Sequence, residues 1–223
     1  MNRTVVPELL DGDAGTPEEI AASLSDLRRI NSWFGGIATT ACMVEHVGRH
    51  TGKRSFSLLE VAAGGGDVPR KAAERLQQHG ICVEVSLLDR AISHLKHRNS
   101  GIQAVGGDAL ALPLADSSFD LVSCCLFAHH LQPGELMRFV NEGLRVCRVA
   151  VLINDLVRHP LHLALVYAGF PLYRSRLTQH DAPASVRAAY TPEEMRSMLK
   201  ETPARGIMTQ RHYLFRMAVV VWK

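Results

Sequence analysis

A short stretch of this chain combines an acid, a run of glycines and a helix start in an order suited to holding a nucleotide-type ligand. The apolar run Phe56-Ser57-Leu58-Leu59 ends in Glu60, and Val61-Ala62-Ala63 leads to Gly64, Gly65 and Gly66 before Asp67 and Pro69 open a helical pattern. A strand, a tight turn and a helix are predicted. Glycines suit such a turn because a Cβ would hold the backbone away from a ligand and because some turns need positive φ. N–H groups at the helix start then offer hydrogen bonds to an acceptor. Two more acids end apolar runs downstream: Asp89 closes ICVEVSLLD, and Asp108 follows GIQAVGG. Carboxylates at those places suit a ligand with hydroxyl and amine donors, because charge-assisted hydrogen bonds are the strong ones.

The elements that must position these groups alternate. Strands are expected over Phe56–Val61, Ile81–Asp89, a short third run before Asp108, Phe119–Leu126 and Val149–Asn154. Helices are expected between them, over Val68–His79, Ala91–Arg98 and Pro133–Cys147. Such alternation specifies a parallel sheet covered on both faces, with the ligand at the carboxyl ends of its strands. Thr16-Pro17-Glu18-Glu19 carries the capping pattern of a first helix, and Ile37–His50 of a second. Pro160–Tyr173 reads as apolar and helical, Leu177–Ala189 as a polar loop, and Thr191-Pro192-Glu193-Glu194 as another capped start. Two closing strand-like runs, Ile207–His212 and Leu214–Trp222, predict a terminal hairpin. The whole is one domain: a helical cap over 1–54, a cofactor-binding core over 55–155, a lid insertion over 156–190, and a final helix with terminal strands over 191–223.

Composition narrows the class. Apolar residues make up 47% and charged residues 21% of the 223 residues, as in ordinary globular proteins. The formal charge of +3 is mild and its Lys and Arg are scattered, so neither nucleic acid nor an anionic membrane is indicated as a partner. No segment reaches the roughly 20 apolar residues of a membrane span, and the first fifteen residues lack a secretory core, so a cytoplasmic protein is expected. Cys42, Cys82, Cys124, Cys125 and Cys147 show no CxxC spacing and are read as reduced core residues.

The dinucleotide fingerprint fits the loop poorly: counted from Gly64 its third glycine falls on Pro69, and counted from Ala62 on Asp67. The stretch Glu60-Val61-Ala62-Ala63-Gly64-Gly65-Gly66 instead resembles the first motif of class I S-adenosylmethionine-dependent methyltransferases, with Ala62 in place of the first glycine. Asp89 in LLDRA, Asp108 in GGDALALPL, Asp116-Ser117-Ser118-Phe119-Asp120 and His129-His130-Leu131 are further stations in that family's order. The similarity covers about residues 56 to 155 and is nearest to the small-molecule branch of quinone-biosynthesis and natural-product enzymes. It implies a Rossmann-like, doubly wound α/β fold with a mostly parallel seven-stranded sheet and a C-terminal antiparallel hairpin. It also implies S-adenosylmethionine as cofactor, held by Glu60, Ala62, Gly64, Gly66, Asp67, Asp89, Arg90, Gly107, Asp108, Ala109 and Cys125. Ala62 is expected to sit in a slightly widened turn.

Transfer of a methyl group from a sulfonium needs alignment and exclusion of water more than acid or base work. A phenol acceptor would gain from a base, for which His129, His130 and His180 are the candidates. Trp33, Asn154, Arg158, Arg174 and Arg187 are candidates for holding the acceptor, against the plainer reading of each arginine as surface charge. Asn154-Asp155 is similar to part of the magnesium site of catechol-type relatives, but Cys124, Cys125, Leu126 and Phe127 stand where that site needs an acid, so no metal is expected. The expected function is metal-independent O-methylation of a phenolic or polyketide-like small molecule. Carbon or nitrogen methylation, a nicotinamide-dependent oxidoreductase and a non-catalytic cofactor-binding protein remain alternatives. No Asn-Pro-Pro-Tyr-like tetrapeptide follows the fourth strand, which speaks against an RNA substrate.

Overall fold

The computed structural model describes residues 1–12, 14–90, 95 and 102–223. The helix expected over Ala91–Arg98 lies outside these residues except for Leu95. In chain order the described elements are α1 (Pro17–Trp33), α2 (Gly36–Thr51), β1 (Ser55–Val61), α3 (Asp67–Gln78), β2 (Cys82–Asp89), β3 (Gln103–Gly106) and β4 (Phe119–Cys125). They continue with α4 (Pro133–Val146), β5 (Cys147–Leu156), α5 (Pro160–Ala168), α6 (Arg176–Ala188), α7 (Pro192–Leu199), β6 (Gly206–His212) and β7 (Arg216–Trp222). The capping boxes read from the sequence form at Thr16 with Glu19 and at Thr191 with Glu194.

The strands make one sheet in the order β3-β2-β1-β4-β5-β7-β6. All neighbours are parallel up to β5, and β7 runs antiparallel to both β5 and β6. Strand residues alternate between two cores. Leu59, Val61, Val151 and Ile153 face α4 and α7, whereas Leu58, Ala150 and Leu152 face α2 and α3. Burial on both faces explains why these strands read as continuous apolar runs. The sheet order turns around between β1 and β4, and that switch point places the glycine turn and the end of β4 side by side.

Three expectations change. The stretch Leu177–Ala189, expected as a loop, falls in the helix α6 up to Ala188, with Pro183 inside it; Leu177, Ala184, Val186 and Ala188 form its buried face, and the tertiary contacts outweigh the lost backbone bond. The apolar stretch from Pro160 is not one helix: α5 stops at Gly169, and a 3₁₀ turn over Phe170–Leu172 follows. All five cysteines are free, but Cys82 is exposed, because the first half of β2 emerges from the core.

Candidate active site

The turn after β1 is built on positive φ angles. Ala62 stands at φ 53°, Gly64 at 50° and Gly66 at 66°. Ala62 itself takes the left-handed conformation, in a turn held by Ala63 N–H donating to Leu88 O at 3.1 Å and Gly66 N–H to Ala63 O at 2.9 Å. Gly66 is needed for a second reason: a Cβ there would meet Leu87 Cδ1 at 2.6 Å. The Ala62→Gly variant should relieve left-handed strain and gain about 0.5 to 1 kcal/mol after the entropic cost of glycine. Urea denaturation checks this, and a loss of stability would show that the strain is absent.

Asp89, at the end of β2, accepts the Gly64 N–H at 2.7 Å and so ties the loop to the neighbouring strand. Asp108 accepts the Leu110 N–H at 2.9 Å in the turn after β3. Glu60 is fully buried and accepts a hydrogen bond from Ser123 Oγ. Burial pushes its carboxyl up from 4.5 to about 7, outweighing the Ser123 hydrogen bond. The neutral form is therefore favoured on folding. That contribution is complete below 4.5 and is lost as pH rises through about 7. Glu60→Gln, which cannot ionise, should flatten this part of the stability profile in urea melts at pH values on either side of the window.

A cavity of about 1240 Å³ opens over these strand ends. Of the residues read from the sequence as cofactor contacts, Glu60, Ala62, Gly64, Asp67, Asp89 and Arg90 line it, as do Gly107, Asp108, Ala109 and Cys125. Gly66 does not; it keeps the turn clear of Leu87. The opposite wall is largely apolar, formed by Leu24, Ile30, Phe34, Leu165, Val186 and Phe215.

His129 and His130 both reach this cavity, in different states. His129 is buried, with Nδ1 at 2.7 Å from Asp155 Oδ1 and Nε2 at 3.4 Å from Glu8 Oε1. The Glu8 contact is an ion pair without hydrogen-bond alignment, which leaves Nε2 without a hydrogen-bond partner. Burial alone would lower the ring's pKa, but the Asp155 and Glu8 carboxylates together outweigh it and raise it to about 10. His129 is thus an imidazolium at neutral pH. His130 is partly exposed, with Nδ1 at 2.9 Å from Asp11 Oδ2. Glu8, His129 and His130 bring ligand atoms within 4.8 Å of one another, the one grouping among the described residues that could close on a cation.

The other sequence candidates are not among the lining residues. Trp33 is 61% exposed at the end of α1. Asn154 is buried and donates to Gly36 O at 2.7 Å and Thr40 Oγ1 at 2.9 Å. Arg158 is paired with Glu194 at 2.5 Å and donates to Ala189 O at 2.7 Å. Arg174 is exposed, and Arg187 donates to Tyr167 Oη at 2.7 Å. His180 lies on the exposed side of α6 against Asp181, whose carboxylate accepts the Leu9 and Leu10 N–H groups at 2.8 and 3.0 Å.

Sequence reasoning missed the N-terminal segment and Arg216. Arg3 donates to His129 O at 3.0 Å and Leu131 O at 2.9 Å, fastening the segment that carries Glu8 and Asp11 over the cavity. Its only signal was an Arg and several acids in a stretch with no periodicity. Arg216 stands at the head of the otherwise apolar run Met217–Trp222, a sign legible in the sequence and passed over.

Residues 58–149 match a family model described as a methyltransferase domain. No curated protein resembles the sequence closely enough to match it. Among solved structures, the plantazolicin methyltransferase BpumL in complex with SAH superposes with a TM-score of 0.70 at 12% identity, covering 96% of this chain and 94% of that one. The plantazolicin methyltransferase BamL, in complex with a triazolic desmethylPZN analog and SAH, gives 0.66 at 19% identity, covering 89% and 74%. Human N-acetylserotonin methyltransferase in complex with SAM gives 0.62 at 16% identity and 88% of this chain; the chain spans about half of that protein, 53%. At these identities the likeness is one of fold.

Proposed function

We propose, for a chain that carries a methyltransferase domain of the class I fold, that it binds S-adenosylmethionine and transfers the methyl group to a small molecule, most fittingly a phenolic or polyketide-like oxygen. One observation carries the reading: a single cavity joins the glycine turn, Asp89 and Asp108 to an apolar wall, and its 1240 Å³ exceeds the ~300–1,000 Å³ of a usual one-ligand site. There is room for a cofactor and an acceptor together.

When bound, the sulfonium supplies an already activated methyl group. Asp89 and Asp108 provide acceptors for the ribose hydroxyls and the adenine amine, and the turn supplies backbone N–H groups to the methionine end. The apolar wall excludes water and orients the acceptor. His129 keeps its proton and therefore does not serve as base. His130, oriented by Asp11, is the histidine placed to take the phenol proton as the oxygen is methylated. The transfer is metal-independent in this reading: Cys124, Cys125, Leu126 and Phe127 stand where a catechol-type magnesium site has an acid, and Asp155 pairs with His129.

Calorimetry with S-adenosylmethionine is the direct test. One equivalent should bind, and absence of binding at millimolar ligand with the fold intact would overturn the reading. Methyl transfer to a panel of phenols should persist in excess EDTA. Activity lost to EDTA and restored by magnesium would overturn metal independence.

A further inference from the structure

We infer that Arg216 forms an oxyanion subsite in this cavity, taking a carboxylate or phenolate carried by a ligand with an apolar body. The inference rests on the cavity's role as a ligand site but goes beyond the choice of reaction.

Arg216 opens β7, is 2% exposed, and contributes to the cavity wall. Its guanidinium meets only neutral groups: Nη2 donates to Asn31 Oδ1 at 2.6 Å, and Nη1 to Asn154 Oδ1 at 3.2 Å and towards Cys125 Sγ at 3.7 Å. Burial pushes the Cys125 thiol up to about 12 against the pull of Arg216, so the sulfur is no counter-ion. Among the described residues no carboxylate stands within ion-pair distance of Arg216. Arg158, the other buried arginine among the described residues, shows the contrast, because it has Glu194 at 2.5 Å.

A guanidinium cannot shed its charge in a protein, and a buried charge without a partner is costly. Asn154 is itself fixed by Gly36 and Thr40, and Asn31 comes from α1, so two helices and β5 hold the guanidinium in one orientation. A planar group held this way matches the two oxygens of a carboxylate or the single oxygen of a phenolate. Phe34, Ile37, Leu214 and Phe215 line the same cavity and suit an aromatic or aliphatic body. Two molecules carry such an oxyanion into this site: the acceptor and the methionine end of the cofactor.

The test compares wild type with Arg216→Met and Arg216→Lys, using benzoate, S-adenosylmethionine and decarboxylated S-adenosylmethionine as calorimetric probes. Benzoate should bind the wild-type protein and weaken at least about tenfold in Arg216→Met, the loss expected for a hydrogen bond to a charged group. If S-adenosylmethionine weakens to that degree and its decarboxylated form does not, the subsite holds the cofactor's carboxylate; if only benzoate weakens, it holds the acceptor. Should Arg216→Met fail to fold, Arg216→Lys keeps the charge without the planar group and should weaken the same probe severalfold. The inference is overturned if no probe shifts by more than about twofold in a variant that unfolds as cooperatively as wild type. A wild-type protein that binds benzoate but not S-adenosylmethionine would overturn the proposed function and leave the oxyanion subsite standing.

Discussion

Replacing Asp89 by Ala is expected to weaken S-adenosylmethionine binding by about 10- to 150-fold, the 1.5 to 3 kcal/mol of a hydrogen bond to a charged group. The carboxylate lies at the end of β2, in the wall of the cavity, where a ribose can reach it. It is also held in place: Oδ2 accepts the Gly64 N–H at 2.7 Å, so the side chain fixes the glycine turn and faces the ligand site at once. Removal therefore costs the contact to the ligand and the anchor of the loop that cradles it. Asp89→Asn separates the two effects, because the amide oxygen can still accept from Gly64 while the charge is gone. Calorimetry on both variants should rank wild type above Asn and Asn above Ala. An Ala variant with wild-type affinity would reduce Asp89 to a loop anchor.

The sheet and the glycine-turn side of the cavity were legible in the sequence because they depend on local signals. Apolar runs ending in Glu60 and Asp89, capping boxes at Thr16 and Thr191, and consecutive glycines each report on a few neighbouring residues. Ala62, where the stretch departs from the glycine pattern, takes a left-handed φ of 53°, a conformation that residue type alone does not reveal. The other side of the cavity was not legible because it is assembled from distant parts. Glu8 meets His129, Arg3 meets Leu131, and Asn31 meets Arg216, none of which leaves a periodic trace. α6 was hidden for another reason. Its polar residues and Pro183 mimic a loop, and only the packing of Leu177 and Val186 and the demand of Asp181 for the Leu9 and Leu10 N–H groups make it a helix.

His129 shows how neighbouring carboxylates can outweigh burial in setting the charge of a ring, and Asp155→Asn is the variant that exposes it. Asp155 Oδ2 accepts the His129 backbone N–H at 2.9 Å, while Oδ1 pairs with the ring Nδ1 and the Leu156 N–H, both at 2.7 Å. Burial opposes ionisation of Asp155, but His129 and these N–H groups hold its pKa below the usual carboxylate value. The side chains of both partners are at most 3% exposed, so water cannot substitute for either. Removing one charge from such a pair costs about 3 to 5 kcal/mol, a large part of the roughly 5 to 15 kcal/mol that holds a domain folded. Urea denaturation of Asp155→Asn should show that loss. The double variant Asp155→Leu with His129→Leu should lose less than the sum of its single changes, because it leaves no buried charge unpaired. The N-terminal segment should loosen as well, since Glu8 is set against the same ring, and limited proteolysis near it would report this. If Asp155→Asn instead unfolds at the wild-type denaturant concentration, the ring sheds its proton at little cost once its partner is gone. His129 would then stand beside His130 as a base for the acceptor.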